Sequence, residues 1–205
     1  MDYKELMDYN ALQYGHTRSG STVVWQIVDK LFEGAKKTHS FIETDKPVIV
    51  TYRDFRASTI SRWRIDKGHD RKISIKEIYQ YSSILKAQVC ILDRYKRVYG
   101  DKALFLKYED CFNNNRRIID SVCTKFSISI TAAQREEIAQ TSSLDNNKKI
   151  SNQFNRFKVY DKETHIHGNH IFSNELDSWQ ELIENKNIYL LNTMLSTELH
   201  SWGYL

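Results

Sequence analysis

The stretch YGHTRSGSTVVWQIV, residues 14–28, reads as the end of a strand, a turn rich in Gly and Ser, and the start of a helix. Such a turn aims backbone N–H groups and the positive end of a helix dipole at one point, which suits a phosphate-like anion. Its flanks support the reading. ALQYG, residues 11–15, predicts a short strand running into the turn. Beyond the turn Val24, Ile27, Val28, Leu31 and Phe32 recur at i, i+3, i+4, i+7 and i+8, one apolar helix face, and Gly34 can stop that helix.

Working outward, KPVIVTY (46–52) is a compact β-branched run of the kind buried on both faces of a parallel sheet. Asp54 is placed to cap a helix running to about Ile65. Residues 75–99 carry a longer helical pattern through Ile78, Leu85, Val89, Leu92 and Tyr99. ALFLKYED (103–110) predicts a third strand, and residues 116–126 place Ile118, Ile119, Val122, Cys123 and Phe126 on one helix face. Strands alternating with helices predict an α/β fold, a three-layer sandwich around a central parallel sheet, with a P-loop-like phosphate-binding turn after the first strand. With one proline, Pro47, and no repeat or linker, residues 1–205 are expected to form a single domain.

Composition narrows the function classes. Hydrophobic residues make up 40% and charged residues 27%, which suits a folded globular chain rather than a disordered one. No apolar run approaches the ~18 to 20 residues of a membrane span, and the N-terminus MDYKELMDYN is acidic and polar where a secretory signal is basic and apolar. A cytoplasmic protein with no membrane partner is expected. Cys90, Cys111 and Cys123 are odd in number and match neither a disulfide framework nor a zinc knuckle, so reduced, mostly buried thiols are expected. The net charge of +4 suits anionic ligands but is too small to indicate a nucleic-acid partner. Residues 52–72 are locally basic, with seven Lys or Arg against three Asp.

The spacing from Gly15 to Gly20 matches the nucleoside-triphosphate loop G-x-x-x-x-G-K-[ST], but Ser21 stands where the phosphate-binding lysine belongs. TRSGST (17–22) instead resembles the 5'-phosphosulfate loop of the sulfotransferases that use 3'-phosphoadenylyl sulfate (PAPS). VIVTYRDFRASTIS (48–61) resembles that family's 3'-phosphate motif, a strand ending in Arg followed by a helix with Ser eight positions on, here Arg53 and Ser61. KKTHSF (36–41) is similar to its Lys-Thr-His segment through Lys37 and His39, and LKYED (106–110) to its strand ending in Tyr-Glu through Tyr108. HIHGNHIFSNELDSW (165–179) resembles the segment that closes over the nucleotide.

The resemblance implies transfer of a sulfuryl group from PAPS to the hydroxyl or amine of a small-molecule or glycan acceptor, with release of adenosine 3',5'-bisphosphate (PAP) and without a metal. It implies His39 as general base, Arg18 on the bridging oxygen and Lys37 assisting. Arg18, Ser19, Gly20, Ser21 and Thr22 would hold the 5'-phosphosulfate, Arg53 and Ser61 the 3'-phosphate, and Tyr108 would lie near the nucleotide. His165, His167 and Gly168 stand nearest to the family's Arg-Lys-Gly on the 3'-phosphate.

The chain also departs from the family's pattern. Val23 occupies the place of the Trp that stacks on adenine, and Trp25 points about 160° away at ~100° per residue, so a core or surface role suits Trp25. The connection from Trp25 to Lys37 is short, and in AQTSSLDNNKK (139–149) Leu144 would replace an adenine-side aromatic. Arg56, Arg62 and Arg64 read as a solvated helix face. His165, His167 and His170 have a spacing that can serve zinc, but no carboxylate or thiol pairs with them, so a lid is expected instead. The residues alone leave open a P-loop nucleotide kinase, or a non-catalytic nucleotide or nucleic-acid binder.

Overall fold

The computed structural model describes residues 9–68, 71–111, 113–154, 159–168 and 178–205. Strand β1 (Ala11–Gly15) is buried along its whole length because it is paired on both edges and covered on both faces. It lies parallel to β2 (Ala35–Thr38) on one side and to β3 (Val48–Tyr52) on the other, and β3 pairs in parallel with β4 (Leu104–Lys107). The sheet among the described residues has the order β2-β1-β3-β4. The chain leaves β1 toward β2 and returns on the other side of β1 as β3, so the strand order reverses between β1 and β3. The loops after these strands diverge and leave a crevice at the C-terminal edge, where open α/β sheets bind ligands.

One face of the sheet presents Leu12, Tyr14, Val48 and Val50 to α2 (Phe55–Lys67) and α3 (Ile75–Tyr99). The other presents Ala11, Ile49 and Leu106 to α1 (Ser21–Phe32) and α5 (Asn115–Phe126). These are the three layers that the alternating pattern predicts. Helix α4 (Tyr108–Cys111) is a single turn directly after β4, so the third predicted strand ends at Lys107, and Tyr108 opens a helix. Helices α6 (Ala132–Thr141) and α7 (Leu144–Ser151) follow on the α1 side. Helices α8 (Asn185–Met194) and α9 (Ser196–Ser201) return to the α3 side, where Leu191, Leu195, Leu199 and Trp202 enter the core. Cys111 and Cys123 are buried and Cys90 is exposed, all three free. No helix among the described residues is long and apolar enough to cross a membrane.

Strand β2 carries no apolar signal, since AKKT has a single Ala among polar residues. It is an edge strand, where lysines discourage further strand pairing. Its first residue is pinned by α1: the Ala35 N–H donates to Asp29 at 2.7 Å and the Ala35 carbonyl accepts from the Trp25 indole at 2.7 Å.

Helix starts follow local chemistry. Asp54 accepts from the Arg56 N–H at 2.8 Å, and α2 then runs to Lys67. Ser74 and Glu77 form a reciprocal capping box at the head of α3, with Arg71 on the Glu77 carboxylate at 2.6 Å. Ser74→Ala should remove about 1 kcal/mol. Thermal unfolding should show a midpoint about 2–4 °C lower.

Candidate functional site

The crevice is built around glycines. A Cβ at Gly15 would collide with the side chains of Thr51, Ser19 and Ser21, so only glycine lets the chain leave β1 folded against β3. Gly20 has φ +78°, and a Cβ there would lie 2.5 Å from the Tyr108 ring, so the head of α1 rests directly on that ring. Arg18, between the two glycines, also has a left-handed backbone, φ +67°, which costs a non-glycine residue about 1–2 kcal/mol. The loop is held from within: the Ser19 hydroxyl and N–H donate to the His16 carbonyl at 2.7 and 3.3 Å, and the Ser19 and Thr51 hydroxyls lie 3.1 Å apart. Helix α1 begins without a side-chain cap. Its first N–H groups are therefore available to an anion.

Cations from three strand ends surround this point. Arg18 Nε donates to Ser61 Oγ on α2 at 2.9 Å. Arg53, just after β3, reaches the Arg18 carbonyl at 3.4 Å and lies 4.5 Å over the Tyr108 ring. Lys37, near the end of β2, donates to Thr22 Oγ1 at 2.6 Å. Desolvation, with repulsion from Arg53, lowers Arg18 to about 10, and burial lowers Lys37 to about 8. Clustered, partly desolvated cations of this kind are stabilised by an anion placed among them.

His39 follows β2 and is exposed. Its Nδ1 lies 2.6 Å from the Gly15 carbonyl. A carbonyl only accepts, so Nδ1 carries the hydrogen and Nε2 keeps a lone pair. Partial desolvation lowers the pKa of His39; the Gly15 hydrogen bond opposes this, and the charges of Lys37 and Arg62 add to it.

The sequence pattern singled out neither His16 nor Gln88. His16 is fully buried, with Nδ1 3.0 Å from the Thr17 carbonyl and Nε2 accepting the Arg53 N–H at 3.1 Å. Burial lowers its pKa to about 4, so it stays neutral and ties the loop after β1 to the end of β3. A lone His beside a turn carries no local signal of such a bridge.

The structure thus gathers Arg18, Ser19, Gly20, Ser21, Thr22, Lys37, His39, Arg53, Ser61 and Tyr108 at one end of the sheet. The remaining expected residues are His165, His167 and Gly168. His165 stacks on Trp25 at 4.1 Å and feels the charge of Lys37, which places it over the β2 side. His167 packs on Tyr160 at 5.1 Å, its carbonyl accepts from Ser151, and the Gly168 N–H donates to the Val159 carbonyl. His170 and the rest of the closing segment through residue 177 lie outside the described residues. Among the described residues no three His, Cys, Asp or Glu side chains converge as a metal would need.

Two side chains take more definite places than their sequence suggests. Trp25 belongs to the core, 7% exposed. Arg56 is not solvated: it pairs with Asp54 at 2.6 Å, donates to Asn192 and lies over Trp179. Asp54, which precedes α2, orients it back along the helix.

Beside Gly20 and Tyr108 opens a pocket of about 80 Å³, walled by Val23, Leu106, Ile118 and Leu144 with Ser142 and Asn115 among its polar groups. Val23 and Leu144, the residues standing where aromatics were expected, both line it.

No family model matches this chain, and no curated protein matches it by sequence. Solved structures match it closely in three dimensions. The mouse sulfotransferase SULT7A1 complexed with PAP superposes with a TM-score of 0.66 at 11% identity, covering 93% of this chain and 84% of that one. Retinol dehydratase in complex with androsterone and the inactive cofactor PAP gives 0.66 at 12% identity, covering 92% and 80%. The same enzyme with retinol and PAP gives 0.63 at 11% identity over the same shares. The chain has the sulfotransferase fold.

Contact between Gly20 and Tyr108 makes a specific demand. Gly20→Ala should cost about 2 kcal/mol or more, from the left-handed backbone and the collision together. In thermal unfolding, Gly20→Ala combined with Tyr108→Ala should lose less than the sum of the two single variants, because the collision disappears with the ring.

Proposed function

We propose that this protein is a PAPS-dependent sulfotransferase, moving a sulfuryl group to the hydroxyl or amine of a small-molecule or glycan acceptor and releasing PAP. The observation that carries this reading is the hydrogen bond from Arg18 to Ser61, with Arg53 beside them. It joins two motifs that lie 43 positions apart in the chain, at the sheet edge where an uncapped helix N-terminus awaits an anion. The PAP held by the solved structures of the same fold favours the same ligand.

The residues fit such a ligand. Arg53 and the hydroxyl proton of Ser61 would hold the 3'-phosphate, while the N–H groups of Ser21 and Thr22, with Arg18, would hold the 5' side. The apolar pocket beside Tyr108 would take the base between Val23 and Leu144. PAPS supplies an electrophilic sulfur whose bond to the bridging oxygen is ready to break. His39 Nε2 takes the acceptor's proton while the acceptor oxygen or nitrogen bonds to sulfur and the bridging bond breaks toward the phosphate with its electron pair. Arg18 and Lys37 stabilise the charge gathering on that bridging oxygen. His165, on the Lys37 side, adds a group whose charge depends on pH.

A nucleotide kinase remains the specific rival, from the Gly15 to Gly20 spacing. Ser21 cannot replace the lysine that such an enzyme places on the transferred phosphate. Ligand-dependent thermal unfolding separates the two. PAP at 100 times its Kd should add about 2.7 kcal/mol, roughly 5–11 °C, with little shift from ADP or from ATP and Mg²⁺. A shift only with ATP and Mg²⁺ would overturn the sulfotransferase reading.

The main limbs of the pH profile follow from His39 and Lys37. His39 must be neutral, so kcat/KM should rise with pH through its lowered value, below the ordinary 6.5. Lys37 must be charged, so kcat/KM should fall as pH passes about 8. Lys37→Arg should remove the alkaline limb, and His39→Ala should abolish the acidic one along with most of the rate.

A further inference from the structure

One residue of α3 receives three hydrogen bonds from β1 and the loop that follows it. The Thr17 N–H and the Thr17 hydroxyl both donate to Gln88 Oε1 at 2.9 Å. The Tyr14 hydroxyl donates to the Gln88 backbone carbonyl, also at 2.9 Å. Tyr14 is wholly buried and Gln88 half-buried, and Leu85 and Val89 beside it anchor α3 in the core.

The residue after Thr17 is Arg18, with its left-handed backbone. Such a conformation persists only where the surroundings over-determine it. On its C-terminal side the clamp is Ser19 on the His16 carbonyl; on its N-terminal side it is Thr17 on Gln88. The guanidinium itself reaches Ser61 on α2, which packs against α3. Backbone and side chain of Arg18 are thus referred to two neighbouring helices, one through Gln88 and the other through Ser61.

Resting on the sulfotransferase reading above, we propose that Gln88 is a positioning residue for Arg18: by accepting both Thr17 donors it sets the loop that aims the guanidinium at the nucleotide. The Tyr14 bond separates this role from simple anchoring, because it falls on the Gln88 main chain and survives any substitution of the side chain. Gln88→Leu keeps the size and the Tyr14 bond but leaves the Thr17 N–H without its acceptor. Gln88→Glu keeps the acceptor.

The test is calorimetric titration of PAP into the full chain, with Gln88→Leu, Gln88→Glu, Arg18→Ala and the double variant Gln88→Leu/Arg18→Ala. Gln88→Leu should weaken PAP by about tenfold or more, and Gln88→Glu, titrated at high salt where its added charge is screened, should stay within about threefold of the parent. In the Arg18→Ala background the Leu substitution should cost less than about twofold, since its effect runs through the guanidinium. If Gln88→Leu does not fold, Thr17→Val removes one of the two bonds from the loop side and should cost about threefold, again only when Arg18 is present. Parent-like binding by folded Gln88→Leu, or an equal loss with and without Arg18, would overturn the role of Gln88 while leaving the sulfotransferase reading intact. Failure of the parent itself to bind PAP would overturn that reading, and the role of Gln88 with it.

Discussion

Everything at the sheet edge depends on the close approach at Gly15, where β1 ends in contact with Thr51, Ser19 and Ser21. Because no Cβ stands there, the loop can turn back on β3 instead of swinging outward. That turn brings Arg18 to Ser61 and puts the head of α1 on the Tyr108 ring. The Gly15 carbonyl, on the same residue, orients His39. A side chain at this position would push apart the strand end, the loop and the histidine together.

The electrostatics of the crevice run against stability in the absence of a ligand. Arg18 and Lys37 both lose solvation, and Arg18 and Arg53 repel each other. The fold tolerates this because neutral groups carry the positioning: His16 is buried and uncharged between the loop and Arg53, and Gln88 receives Thr17. Neutral hydrogen-bonding groups can be buried at far lower cost than ions and leave the local positive potential undiminished. The groups that touch the Arg18 loop and Arg53 from behind, His16 and Gln88, are accordingly polar and uncharged.

Much of the architecture was legible. β3 announces itself through a β-branched run, β1 through the turn it enters, α1 through one clean helical face, and α3 through the length of its helical pattern. β2 was not, because an edge strand needs only main-chain partners and AKKT owes its place to pairing with β1 and to Asp29 and Trp25 on α1. The end of β4 was misjudged for a related reason: LKYED looks extended, yet Tyr108 turns into a helix under Gly20 and Arg53. Arg56 looked solvated on helical periodicity, but its charge is drawn to Asp54 before the helix. His165 stacks on the flat face of Trp25 on the Lys37 side, a contact that no local pattern announces.

The sequence by itself determined the α/β class and the glycine-rich turn after β1, while Arg18, Lys37, His39, Arg53 and Ser61 stood out as candidates for an anion through resemblance to one family's motifs. The class and the turn are local properties, set by periodicity and by glycine. Only the tertiary structure decided which atoms work together. The His39 nitrogen that keeps its lone pair, the bridge through His16 and the clamp at Gln88 all rest on contacts between residues 24 to 71 positions apart. Hydrogen bonds of that range form between surfaces that exist only once the layers have packed, so no short window of sequence contains them.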